Sequence, residues 1–276
     1  MNLNNPQNSY YPDPAGSRPD PAGSRPDPAG SRPDPSGSRP DPAAGRPDPA
    51  ARAGASAEIA ERAKFIERTY LHLAGAIAAF VGLEYVFLHN EAMLRFSLSL
   101  FMVHPLIILG MFIGASWLAN SFAQHQTSRP MQYLGLGLYV VVQAFIFVPA
   151  MVYAQIYGGP DIIMTSGITT LAIFAALTGF VMITKRDFSW MRGALAMVTT
   201  GAVGLVVFSM IFGFSLGILF TVGVIVLAAC YILYDTSNVL KHYHPQSYVA
   251  ASLALFASVA LMFMYILRLA TSLSRN

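Results

Sequence analysis

The decapeptide Tyr231-Ile-Leu-Tyr-Asp235-Thr-Ser-Asn-Val-Leu240 carries the residues best placed for chemistry. It closes an apolar run from Ser215 to Tyr234, and at about 1.5 Å per helical residue such a run is long enough to cross a bilayer. Asp235 stands at the end of that run, ahead of Lys241. A carboxylate at or inside a membrane boundary is costly unless a partner or water meets it. Two readings follow: an acid at the interfacial end of a helix, and a functional carboxylate facing the interior of a bundle. Helical spacing places Tyr231, Asp235 and Asn238 on one face. In the next apolar run Ala250, Ala254 and Ser258 recur at i, i+4 and i+8, a stripe of small side chains that lets another helix approach closely. A short loop joins the two runs, so they should pack antiparallel, with the Asp235 face turned toward this stripe.

Other candidates for chemistry are sparse. His72 and Glu84 fall in the first apolar run, His104 in the second, Gln143 in the third and Arg268 in the last. Glu84 and Arg268 lie near run ends, where they are expected to snorkel to the interface. His104 and Gln143 are expected to make helix–helix contacts rather than bind a ligand. His242 and His244 share a loop without a third ligand nearby, a poor basis for a metal site. The single cysteine, Cys230, excludes disulfides and cysteine-ligated zinc within one chain. Gly135-Leu-Gly137 follows no strand and is no dinucleotide loop. With neither a Ser/His/Asp arrangement nor a His-Glu-x-x-His motif, the expectation is a protein that is not an enzyme and holds no metal or cofactor.

The elements that must position these residues are membrane helices. The 276 residues are 54% hydrophobic and 11% charged, and the apolar residues come in long runs. This pattern defines an all-α integral membrane protein. The spacing predicts spans at about 69–88, 96–118, 131–153, 162–183, 193–212, 215–234 and 248–269, a seven-helix bundle. Ala57 to Arg68 reads as a short amphipathic entry helix with Ser56 as its N-cap. Pro149 is expected to kink the third span, and Gly213 to make a tight turn between the fifth and sixth. Residues 1–57 form a separate segment. From Pro12 the heptad Pro-Asp-Pro-Ala-Gly-Ser-Arg repeats, with copies at Pro12, Pro19, Pro26, Pro33, Pro40 and Pro47. Two prolines per repeat and no apolar positions predict a disordered, partly polyproline-II tether, and the sequence does not open as a signal peptide.

Six Asp balance six Arg in residues 1–57, so the net charge of +3 belongs to residues 58–276. Arg62, Lys64, Arg68, Arg129, Lys185, Arg186, Arg192 and Lys241 fall on the side of the N-terminus, and Arg95, Arg268 and Arg275 on the other. The positive-inside rule then predicts a cytoplasmic N-terminus and an outer C-terminus in the cell's inner (plasma) membrane. The excess is topological and gives no nucleic-acid footprint, so lipid is the partner expected from composition.

Two motifs carry a family likeness. Met182-Ile-Thr-Lys-Arg-Asp-Phe-Ser189 follows one span, and Leu233-Tyr-Asp-Thr-Ser-Asn238 ends a later one. With Phe65-Ile-Glu-Arg-Thr-Tyr-Leu71 at the entry to the first span, they resemble the Bax inhibitor-1 family, the transmembrane Bax-inhibitor-motif proteins, from about Lys64 to the end. The resemblance implies a bundle of six helices around a central seventh, and marks Lys185, Arg186 and Asp187 as motif residues. It also implies regulation of calcium through a pH-sensitive leak governed by two carboxylates on the last two helices, calcium being the transported ion. Asp235 matches the first carboxylate. The second falls on Ala254-Leu-Phe-Ala-Ser258, where Ser258 replaces the acid. By this resemblance Asp235, Ser258, Tyr231 and Asn238 are the candidate pH-sensing or pore residues. Some members set an arginine in the second span against the acids, and no Arg or Lys occurs between Phe96 and Leu118. A bacterial branch that also lacks the second acid is associated with restraining a membrane-anchored AAA protease, and the departures here resemble that branch. The expected function is therefore non-enzymatic modulation of membrane proteostasis, with a calcium or proton leak as the alternative. A secondary transporter stands third, since it would show an inverted repeat or broken helices.

Overall fold

The computed structural model describes residues 49–103, 105–123 and 129–275. The repeat tail up to Asp48 and His104 lie outside the described residues. Eight α-helices follow in order: α1 (Pro49–His89), α2 (Glu91–Val103), α3 (Pro105–Ala123), α4 (Arg129–Gly158), α5 (Ile162–Thr184), α6 (Arg192–Phe212), α7 (Ile218–Lys241) and α8 (Tyr248–Ser274). A single 3-10 turn, Ser189–Met191, precedes α6. No strand occurs among the described residues. Six helices, α1 and α4 to α8, are long and apolar enough to cross a membrane. In hydrocarbon every backbone polar group must be satisfied within the chain, which is why apolar runs of this length become helices.

Two boundaries differ from those expected. The entry helix and the first span are one helix, which begins at Pro49 and takes in residues 49–57 of the segment read as a tail. Proline is well tolerated at a helix start, and the alanine-rich stretch behind it favours helix. The second span falls on α2 and α3, which lie on either side of His104. The sixth span does not stop at Tyr234: α7 runs on to Lys241, so Asp235 lies inside the helix. Pro149 sits within α4, which continues to Gly158. Gly213 ends α6 in the left-handed region at φ 72°, the tight turn its glycine permits.

The chain still crosses seven times. α1 and α4 run parallel: His72, midway along α1, meets Tyr133 near the start of α4 at 3.0 Å, and Phe80 packs edge-on against Phe147 further along both, with ring centroids 5.2 Å apart. The C-terminal end of α1 therefore lies at the opposite end of the bundle from the start of α4. The α2–α3 stretch, packed along α4, must therefore make the return crossing.

α8 is the central helix. Val249, Ala251, Leu255 and Met262 are fully buried, and α8 packs against α1, α3, α4, α5 and α7. α6 departs from the expected ring of six. It packs on α7, α3 and the 3-10 turn and makes no packing contact with α8 among the described residues. Where every helix face is apolar, association depends on close packing rather than on escape from water. The aromatic set Phe80, Phe147, Phe256 and Phe263 supplies that packing where α1, α4 and α8 meet. The outer surface is correspondingly apolar, with Ile183, Leu219 and Trp190 largely exposed. A contiguous apolar exterior of this kind is the lipid-facing surface of a membrane protein.

Candidate functional site

Asp235 and Ser258 meet. Both are buried, at 7% and 6% exposure, and Ser258 Oγ donates to Asp235 Oδ2 at 2.5 Å. Antiparallel pairing of α7 with α8 and the small side chains of the Ala250–Ala254–Ser258 stripe make the approach possible. The other two candidates on α7 go elsewhere. The Tyr231 hydroxyl pairs with Thr199 Oγ1 of α6 at 2.7 Å, so this residue serves the α6–α7 seam rather than the Asp235 site. Asn238 offers its carbonyl to the N–H groups of His242 and Tyr243 and closes the end of α7.

The two motifs also meet, at the end of the bundle that holds the C-terminus of α7. Lys185 terminates α5 in the left-handed conformation, φ 49°, with its N–H on the Val181 carbonyl. The chain then turns so that the Phe188 N–H donates to Ser237 Oγ at 2.9 Å. The Ser237 hydroxyl lies within reach of the Arg186 carbonyl at 3.5 Å and of Asp187 Oδ1 at 3.4 Å. Asp187 accepts the Ser189 N–H at 2.9 Å and pairs with His242 Nε2 at 3.1 Å. These partners hold its carboxyl down at about 2, the Ser189 hydrogen bonds first and His242 after them. His242 is thus an ion-pair partner, and no group of three metal-ligating side chains occurs among the described residues.

Arg62 closes the same end from α1. Its Nε donates to the Leu240 carbonyl at 3.0 Å and Nη1 to the Tyr243 carbonyl at 2.5 Å, capping the carbonyl end of α7. Sequence reasoning assigned Arg62 only to the positive-inside count, and Ser237 to no role beyond the motif. Neither carries a mark of its own, because the partners are backbone atoms brought close only by folding.

Glu84 departs from expectation. Instead of snorkelling it is buried at 4% exposure, and neither carboxylate oxygen has a partner among the described residues. Arg268 behaves as expected: it is exposed and donates to the Leu216 carbonyl at 2.9 Å. Gln143 is buried within α4.

A bundle of apolar helices around a buried central helix, with a hydroxyl–carboxyl contact between its last two members, defines a multi-pass helical membrane protein. The sequence model of the family described as "Inhibitor of apoptosis-promoting Bax1" matches residues 62–275. The chain therefore belongs to the Bax inhibitor-1 family. It is 24% identical over 220 residues to the Golgi anti-apoptotic protein of vaccinia virus (strain Lister), covering 78% of this chain and 88% of that one. It is 22% identical over 227 residues to mouse protein lifeguard 4, covering 80% and 90%. It is 29% identical over 180 residues to Bax inhibitor 1 of Schizosaccharomyces pombe, covering 63% and 65%.

Proposed function

We propose that this protein is a non-enzymatic membrane regulator that acts through protein contacts and does not conduct. Its partner in this reading is a membrane-anchored AAA protease, as in the bacterial branch whose departures it shares. The observation that carries the reading is the Ser258–Asp235 hydrogen bond. Two carboxylates at this point would share a proton and titrate as a unit, and adding the second charge would drive the helices apart. A serine adds no charge to repel Asp235, and its hydroxyl instead ties α8 to α7. The basic residues Arg62, Lys185, Arg186 and Lys241 gather at one end of the bundle, which supports a cytoplasmic N-terminus and an outer C-terminus in the plasma (inner) membrane.

The alternative is a calcium or proton leak gated at Asp235, and its support is a buried carboxyl against the central helix. Calcium flux into liposomes from about pH 5 to 8 separates the two. The wild type should stay flat, Ser258→Asp should gain flux as its pair of acids ionises, and Asp235→Asn added to it should lose it again. A wild type that leaks steeply with pH would overturn the regulator reading. In a co-reconstituted system the protein should slow degradation of a membrane substrate by the protease, and an unchanged rate would remove that partner. A secondary transporter is the third reading, and an inverted repeat or broken helices would be its mark.

A further inference from the structure

Glu84 is one of the residues lining a cavity of about 520 Å³, of a size that takes a drug-sized ligand. Phe80 of α1 and Phe256 and Phe263 of α8 form its aromatic side, and Ile163 and Gly167 of α5 face them. α1 and α5 do not pack on each other among the described residues, so the cavity opens sideways between them, past the exposed residues Val81 and Ile168. What reaches it must dissolve in the hydrocarbon of the membrane. What completes it must satisfy a buried acid whose oxygens have no partner among the described residues, and none of the described residues lining the space is Lys or Arg.

We propose that this cavity binds a hydrophobic amine that enters from the membrane between α1 and α5, its ammonium on the Glu84 carboxylate and its apolar body among Phe80, Phe256 and Phe263. An ammonium supplies a charge-assisted hydrogen bond to the acid, and aromatic faces attract its charge. A calcium ion fits the site poorly. It takes about six to eight oxygen ligands, whereas the lining is mostly apolar and Glu84 is its one carboxyl group among the described residues. A phospholipid headgroup fits less well, since its phosphate would enter a space with no Lys or Arg to meet it among the described residues.

The test uses the purified full chain and two probes that differ only in charge, dodecylamine and dodecanol, with one-to-one adducts counted by native mass spectrometry. The wild type should bind dodecylamine at least tenfold more tightly than dodecanol. Glu84→Gln should erase that preference and leave dodecanol binding unchanged. A Cβ built at Gly167 meets nothing within 4 Å. Gly167→Phe should therefore fill the space and weaken both probes while Glu84 stays in place. Equal binding of the two probes by the wild type would mean a cavity that takes acyl chains without regard to charge, and would overturn the proposal. So would an amine preference that survives Glu84→Gln.

Discussion

Ser258 Oγ donates to Asp235 Oδ2 at a point where α7 and α8 are both buried, so the contact is sealed from water on each side. Removing the hydroxyl leaves the acid without its donor in a closed site. Ser258→Ala is therefore expected to cost about 1–3 kcal/mol, the penalty of an unsatisfied buried polar group. Thermal unfolding in detergent should show a fall of several degrees. Ser258→Thr, which keeps a hydroxyl, should recover part of it. No change in Ser258→Ala would mean that the bond adds nothing to the α7–α8 seam.

Arg62 bridges α1 to the end of α7 through two carbonyls, Leu240 and Tyr243, and its guanidinium lies 5.1 Å from the Phe65 ring centroid. Arg62→Gln should destabilise by roughly 1–3 kcal/mol, because the caps on both carbonyls are lost. Arg62→Lys should rescue little, since a point charge cannot match a planar fork that reaches two acceptors. Full rescue by lysine would show that charge alone matters at this end.

Asp187 gives the fold a dependence on acid. Its carboxyl is held at about 2, below the ordinary aspartate value of about 3.9, by the Ser189 hydrogen bonds and His242. A depressed acid stabilises the fold above its unfolded value and loses that contribution as pH falls through the folded one, here between about 4 and about 2. The melting-temperature difference between wild type and Asp187→Asn should be full at pH 5 and shrink over that window. A difference that stays constant down to about pH 2 would show that the Asp187 charge does not support its contacts with Ser189 and His242.

The heptad tail offers no apolar side chain to bury, so deleting residues 1–48 should leave thermal stability in detergent unchanged within error. A large loss of stability or of monodispersity in the deletion would show that the repeats pack on the helices.

The membrane class and the number of crossings were legible from the chain itself. Long apolar runs can form only helices in lipid, because no other local structure satisfies their backbone. The Asp235–Ser258 contact was legible too, since an acid at helical spacing and a stripe of small residues on a closely connected neighbour leave few ways to pack. Gly213 announced its turn for the same local reason: a left-handed residue needs no Cβ.

Tertiary structure decided what depended on a partner distant in sequence. Tyr231 sits one helical turn from Asp235 yet bonds Thr199 on α6, because the neighbour opposite its long side chain is a different helix. Asp187 follows α5, while Ser237 and His242 lie five residues apart at the end of α7, and only the packing of α5 on α7 makes them one cluster. Glu84 near the end of a span reads as a snorkelling acid. Its burial follows from α4 and α8 packing on α1, which no property of α1 alone encodes. A helix apolar on every side gives no amphipathic face to show which way it turns. Span by span, then, the sequence set length and order, while the side each helix shows to α8 or to lipid was chosen by the shapes of its neighbours.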